Sequence, residues 1–218
     1  MGINLGNLEQ TSQPLNSAPT STPTQASGLS LNLQKNDFLD LTKRNPGLTK
    51  VDFATGWDVS ENGADFDLDI MAMLIHQDTN KIKTADDIIY FNHKEISPFI
   101  KLNQDDRTGA SSDGNDDEVI SLNLSQVPSD ISKIVFAITI YDAENRRQTF
   151  GMVNNSYVRL LDVEHGNKEL CIYPLKEQYS TETAVVVAEL VRDGSEWTFH
   201  TIGEGKHADI NGIAALYM

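Results

Sequence analysis

At 218 residues the chain can hold one large or two small domains, and 39% hydrophobic content is enough for a packed core. A formal charge of −15, from 32 acidic against 17 basic residues, argues against a sequence-independent grip on nucleic acid or insertion at an anionic membrane, and favours cations or basic partners. The single cysteine, Cys171, excludes an intrachain disulfide framework and a cysteine-rich zinc site, and no run reaches the roughly 18 apolar residues of a membrane helix.

The N-terminus has neither a basic region nor a sustained apolar stretch, so a cytoplasmic protein is expected. From Glu9 to Ser27 small polar residues dominate, interrupted by Pro14, Pro19 and Pro23. Such a composition buries too little surface to offset the entropy of ordering. Residues 1–28 therefore read as a flexible, disordered N-terminal extension and residues 29–218 as one folded domain.

Beyond Gly28 short apolar runs alternate with Gly, Asn, Asp and Pro, the pattern of an all-β chain. Strands are expected near Leu29–Leu33, Thr49–Ala54, Leu68–Ile75, Ile88–Asn92, Val119–Leu124, Lys133–Tyr141, Tyr157–Val163, Leu170–Pro174, Ala184–Arg192 and Trp197–Ile202. Ten strands suggest a two-sheet β-sandwich. Ile134, Phe136, Ile138 and Ile140 alternate with Val135, Ala137, Thr139 and Tyr141, so this strand is expected to be central and covered on both faces. Ile120, Leu122 and Leu124 alternate with polar residues, which predicts a half-buried strand. Asp193-Gly194 marks a hairpin, and one short helical turn is expected between Ala143 and Gly151.

The acid is concentrated. Between Asp58 and Asp142 there are 17 acidic against six basic residues. Asp65, Asp67 and Asp69 recur at spacing two, which in an extended chain places all three carboxylates on one face roughly 6.5 to 7 Å apart. One ion cannot span all three, so they would be split between two sites or bent at the strand entrance, with further ligands from another loop. The segment Asn103–Glu118 brings Asp105, Asp106, Asp113, Asp116, Asp117 and Glu118 together with turn-forming glycines and hydroxyls. Oxygen-only donors of this kind select a hard cation, Ca²⁺ or Mg²⁺. Asp58 and Asp142 could complete the cluster, although Asp142 by itself reads as a turn residue. An EF-hand is excluded because the sixth position from Asp65 is Ile70 and the twelfth is His76. A phosphotransferase Asp-x-Asp reading fails because Asp67-Leu68-Asp69 precedes its strand in a chain without alternating helices. The five histidines lack metal-ligand spacing, and no nucleophile elbow, P-loop or dinucleotide fingerprint is present.

From about Leu29 onward the chain resembles the TerD-type family of tellurium-resistance and general stress proteins. The resemblance rests on Asn45-Pro46-Gly47-Leu48, Gly56-Trp57-Asp58, Asp65-Phe66-Asp67-Leu68-Asp69, Ile89-Tyr90-Phe91-Asn92, Asp116-Asp117-Glu118, Ile140-Tyr141-Asp142-Ala143, Tyr157-Val158-Arg159 and Thr181-Glu182-Thr183-Ala184. It implies a β-sandwich with acidic metal-binding loops at one end that holds one or two Ca²⁺ ions. Asp58, Asp67, Asp69, Asp105, Asp116, Asp117 and Glu118 would surround them, with Asp65 and Asp106 adjoining in the same runs. Gln104 and Asn115 stand where family loops carry glycine.

The function the resemblance implies is a non-catalytic stress-response module. It would confer resistance to tellurite and other chemical stress through other Ter-type proteins and a TerC-like membrane partner. The protein would then be cytoplasmic, or peripheral to the inner membrane through partners, with no nucleic acid bound. The residues alone leave open a carboxylate-metal hydrolase or phosphotransferase, and a calcium-dependent ligand-binding sandwich.

Overall fold

Apolar alternation over most of the chain leaves β-structure as the way to bury it, and the computed structural model, which describes residues 30–58, 66–104, 116–175 and 179–218, forms thirteen strands in two facing sheets. In chain order these are β1 (Leu31–Asn32), β2 (Phe38–Asp40), β3 (Lys50–Asp58), β4 (Leu68–His76), β5 (Ile88–Ile89), β6 (Glu95–Ile96) and β7 (Ile100–Gln104). They continue with β8 (Glu118–Asn123), β9 (Ile131–Ile140), β10 (Asn154–Asp162), β11 (Lys168–Pro174), β12 (Ala184–Asp193) and β13 (Glu196–Lys206). Three short α-helices, α1 (Leu41–Arg44), α2 (Ala143–Arg146) and α3 (Ile210–Ala215), and four single 3-10 turns are the remaining regular elements of the described residues. The expected extension 1–28 and the candidates Asp65, Asp105 and Asp106 lie outside them. No helix among the described residues is long and apolar enough to cross a membrane.

One sheet runs β1-β11-β10-β3-β8-β7-β6 and the other β2-β13-β12-β9-β4-β5. Pairing is antiparallel except between β1 and β11. Phe53 of β3 and Phe136 of β9 stack across the sheets with ring centroids 4.2 Å apart, both fully buried. That pair sits in the main core, where side chains from both sheets interdigitate.

The strand expected to be central is central. β9 lies between β12 and β4; Ile134, Phe136, Ile138 and Ile140 enter the core, whereas Val135 and Ala137 join a second apolar cluster on the opposite face. β8 alternates buried and half-exposed residues, as its sequence implies. Gly194, at a left-handed φ of 61°, turns β12 into β13 with Asp193 opposite Glu196. The expected helical turn is α2. Cys171 is a buried core residue, and burial pushes its thiol up to about 12.

Five elements were not anticipated, β2, β6, β7, α1 and α3. β2, β6 and β7 raise the count from ten strands to thirteen, and the run from Ile88 keeps only two strand residues because Tyr90 and His93 close a tight bridge. The C-terminal α3 covers the second cluster: Ile213 and Ala214 pack with Met71, Met73, Val135 and Val186 on the outer face of the β4 sheet. Asp209 starts this helix by accepting from the Gly212 N–H at 2.8 Å.

The helix has too few hydrogen bonds to stand without that packing. Ile213→Ala should therefore cost about 2–5 kcal/mol of unfolding free energy, while Leu216→Ala, at an exposed position one turn on, should stay within about 0.5 kcal/mol of the parent in a denaturant titration.

Candidate metal centre

Three strand ends meet at one end of the sandwich: the exit of β3, the entrance of β4 and the entrance of β8. Register pairs Thr55 with Glu118 in one sheet and Asp69 with Thr139 in the other. Four carboxylates of the acidic runs are buried here, with relative exposures of 8% for Asp67, 5% for Asp69, 0% for Asp117 and 1% for Glu118. Acidic side chains are almost never so buried without partners.

Backbone amides supply some of those partners. The Asp117 carboxylate accepts from the Trp57 N–H at 2.8 Å, and the Asp117 N–H donates to the Thr55 carbonyl at 2.8 Å. The Trp57 indole N–H donates to the Phe66 carbonyl at 3.1 Å, which brings the chain ahead of β4 against the end of β3. Glu118 then crosses between the sheets and accepts from the Ile70 N–H at 2.6 Å. β5 pairs with β4 only at Ala72 and Met73, so Glu118 serves as acceptor for an amide beyond the reach of that short strand. The two acidic runs, about fifty residues apart in sequence, thus meet in space, as the metal reading requires.

The other candidates are placed differently. Asp116 is gripped by Arg159, whose Nε and Nη2 donate at 2.8 and 2.9 Å, and it accepts from the Tyr157 hydroxyl at 3.2 Å. The guanidinium already balances that charge. Tyr157 can lie over β3 because residue 56 is glycine; a Cβ there would meet the Tyr157 hydroxyl at 2.5 Å. Burial, with Asp116 adding to it, pushes the Tyr157 phenol up to about 12. Asp58 is exposed at the end of β3 and accepts from the Asn155 amide at 2.5 Å. Asp142, in the left-handed region with φ 52°, accepts from the Asn145 amide. On the same sheet face as Asp116, burial raises the Asp52 carboxyl above its ordinary value of 3.8, Asp116 adds to the effect, and the Ser121 hydroxyl offsets it only in part.

Oxygen-only donors in a cramped, acidic corner fit a hard cation. Among the described residues, however, no three His, Cys, Asp or Glu side chains are grouped closely enough to hold an ion. A complete shell would draw on further oxygens, and Asp65, Asp105 and Asp106 belong to the segments 59–65 and 105–115 outside the described residues.

Comparison with known proteins identifies the family of the chain. The TerD domain matches residues 29–217. General stress protein 16U of Bacillus subtilis (strain 168) is 41% identical over 191 residues, covering 87% of this chain and 97% of that protein. Tellurium resistance protein TerD of Serratia marcescens is 37% identical over 191 residues, with 87% and 97% covered. The crystal structure of SAV2460, a protein of unknown function, superposes with a TM-score of 0.65 at 30% identity, covering 77% of this chain and 95% of its own.

Two outcomes follow from the hydrogen bonding. In the presence of chelator, Glu118→Ala should lose about 1–3 kcal/mol because the Ile70 amide is stranded, and Glu118→Gln, which keeps an acceptor oxygen, should lose less. Asp52 is disfavoured as the anion in the fold, so stability falls as pH rises from 3.8 through its raised value. Asp52→Asn should therefore raise the melting temperature at neutral pH, with the gain vanishing in melts below pH 3.8.

Proposed function

Because the chain belongs to the TerD domain family, together with tellurium-resistance and general stress proteins, we propose that it is a calcium-binding stress-response module that acts through protein partners and without catalysis. The observation that carries this reading is the meeting of the two acidic runs at one end of the sandwich, where Asp67, Asp69, Asp117 and Glu118 are buried and Glu118 reaches the strand that bears Asp69. Asp67 and Asp69 at the entrance of β4 and Asp117 and Glu118 at the entrance of β8 concentrate negative charge at one end of the sandwich, and a divalent cation completed by further donors would oppose it.

Asp67, Asp69, Asp117 and Glu118 are the proposed donors, Asp69 from the outer face of the β4 sheet and Glu118 from between the sheets, with Asp65, Asp105 and Asp106 as further donors and Asp58 at the rim. Asp116, bound by Arg159, would contribute by holding the start of β8 in place rather than by coordination. Flexible carboxylates in such number suit the seven or eight ligands of Ca²⁺ better than the strict octahedron of Mg²⁺. One or two Ca²⁺ ions are proposed. Other Ter-type stress proteins and a TerC-like membrane protein are the proposed partners, in the cytoplasm and at the inner membrane, and the strongly acidic surface suits a basic partner face.

Calorimetric titration of the metal-free protein tests this reading. Ca²⁺ should bind with an affinity between sub-micromolar and tens of micromolar and Mg²⁺ much more weakly. Saturation at one hundred times Kd should add about 2.7 kcal/mol to stability. Asp67→Asn, Asp69→Asn and Asp117→Asn should each weaken calcium binding strongly. Asp78→Asn, at a site paired with Lys83 at 3.0 Å, should bind as the parent does. An unchanged melting temperature between chelator and excess calcium would sink the proposal.

A further inference from the structure

Thr139, the cross-strand partner of Asp69, opens onto a cleft of about 890 Å³ on the outer face of the β4 sheet, between α2 and the chain that enters α3. Its walls are of two kinds. Tyr141 and Phe91 form an aromatic side, set edge to face with ring centroids 6.1 Å apart, and Tyr141 is 47% exposed. Asp69, Asp142, Glu144 and Asp209 form a carboxylate side; among the described residues that line the cleft His207 is the one basic side chain, with Arg146 beside it over the Tyr141 ring.

The Tyr141 ring already holds a guanidinium from within the chain, with the Arg146 Cζ 5.4 Å from its centroid. An aromatic face attracts cations through its quadrupole, more strongly where water is partly excluded. The cleft is larger than one guanidinium and lies within the 300–1,000 Å³ range of built binding sites. The segment 1–29 is not its natural occupant, since it carries one acidic residue, Glu9, and no basic side chain.

We propose that this cleft docks an arginine-bearing segment of a partner protein, with a guanidinium against Tyr141 and Phe91 and its charge met by Asp142 and Glu144. Charge complementarity commits the site to a cationic occupant, and the planar aromatic wall favours guanidinium over ammonium. The inference goes beyond the calcium reading and does not depend on it.

The test is fluorescence anisotropy of a labelled Arg-Gly repeat peptide with the full chain, in chelator and at physiological salt, so that calcium has no part in the outcome. Tyr141→Leu should weaken binding about tenfold while Tyr141→Phe, which keeps the ring, should bind within about twofold of the parent. Glu144→Gln should weaken binding several-fold. Asp86→Asn, an exposed and equal charge change beside Asp87 at the far end of β4, should not. A loss in Asp86→Asn equal to that in Glu144→Gln would reduce the effect to general attraction by an acidic protein and overturn the proposal, as would indifference to Tyr141→Leu. Spermine binding with the same dependence on Tyr141, in the absence of peptide binding, would overturn the assignment to a protein segment.

Discussion

The hydrogen bond from the Ile70 amide to the Glu118 carboxylate joins the two sheets at the end where the acidic runs meet. A charged group held at 1% exposure between apolar layers is tolerable only if its oxygens are engaged. Its partner is a backbone donor that the short β5 cannot reach, so the geometry of a truncated edge and the position of an acid are two aspects of one constraint. Asp117 repeats the device at the Trp57 amide, and the Trp57 indole then holds the Phe66 carbonyl. The entrance of β4, with Asp67 and Asp69, is thereby fixed against the exit of β3.

Charge is apportioned differently a few ångströms away. Asp116, the neighbour of Asp117 in sequence, turns to Arg159, which also reaches Glu169 at 3.2 Å. One acid of the run is neutralised by a permanent cation, and the next two are buried against backbone. The resulting sorting separates a residue that braces the end of the sandwich, Asp116, from those proposed to face an ion. It also leaves Asp69 beside a cleft whose remaining carboxylates face outward.

Much of this architecture was legible in the sequence because burial follows period two. The doubly apolar pattern of β9 and the half-apolar pattern of β8 predict their positions, and Asp193-Gly194 predicts the last hairpin. β2 and β6 were not legible, since two or three residues carry no period. β7 was: Ile100 and Leu102 alternate with Lys101 and Asn103, but the acidic segment that follows masked the pattern. The helix α3 contains Gly212 and Asn211, poor helix formers, yet Asp209 at its start and the spacing of Ile210, Ile213, Ala214 and Tyr217 were the signals that could have found it. For the site, the sequence put Asp67 and Asp69 in one run and Asp117 and Glu118 in another, and these four are buried at one end of the sandwich. It could not tell that Arg159, more than forty residues on, claims Asp116, because that pairing depends on β10 lying beside β3.

Trp57 offers the most direct view of whether an ion occupies this corner, since its amide bonds the carboxylate of the proposed ligand Asp117 and its indole bonds the Phe66 carbonyl just ahead of Asp67. Terbium replaces calcium at oxygen sites and emits when a nearby indole transfers energy to it. Tb³⁺ added to the metal-free protein should give emission under indole-selective excitation that Ca²⁺ displaces, that is lost in Trp57→Phe, and that survives in Trp197→Phe, a change at the opposite end of the sandwich. Emission that persists in Trp57→Phe, or that calcium fails to displace, would contradict a calcium site at the meeting of the two acidic runs.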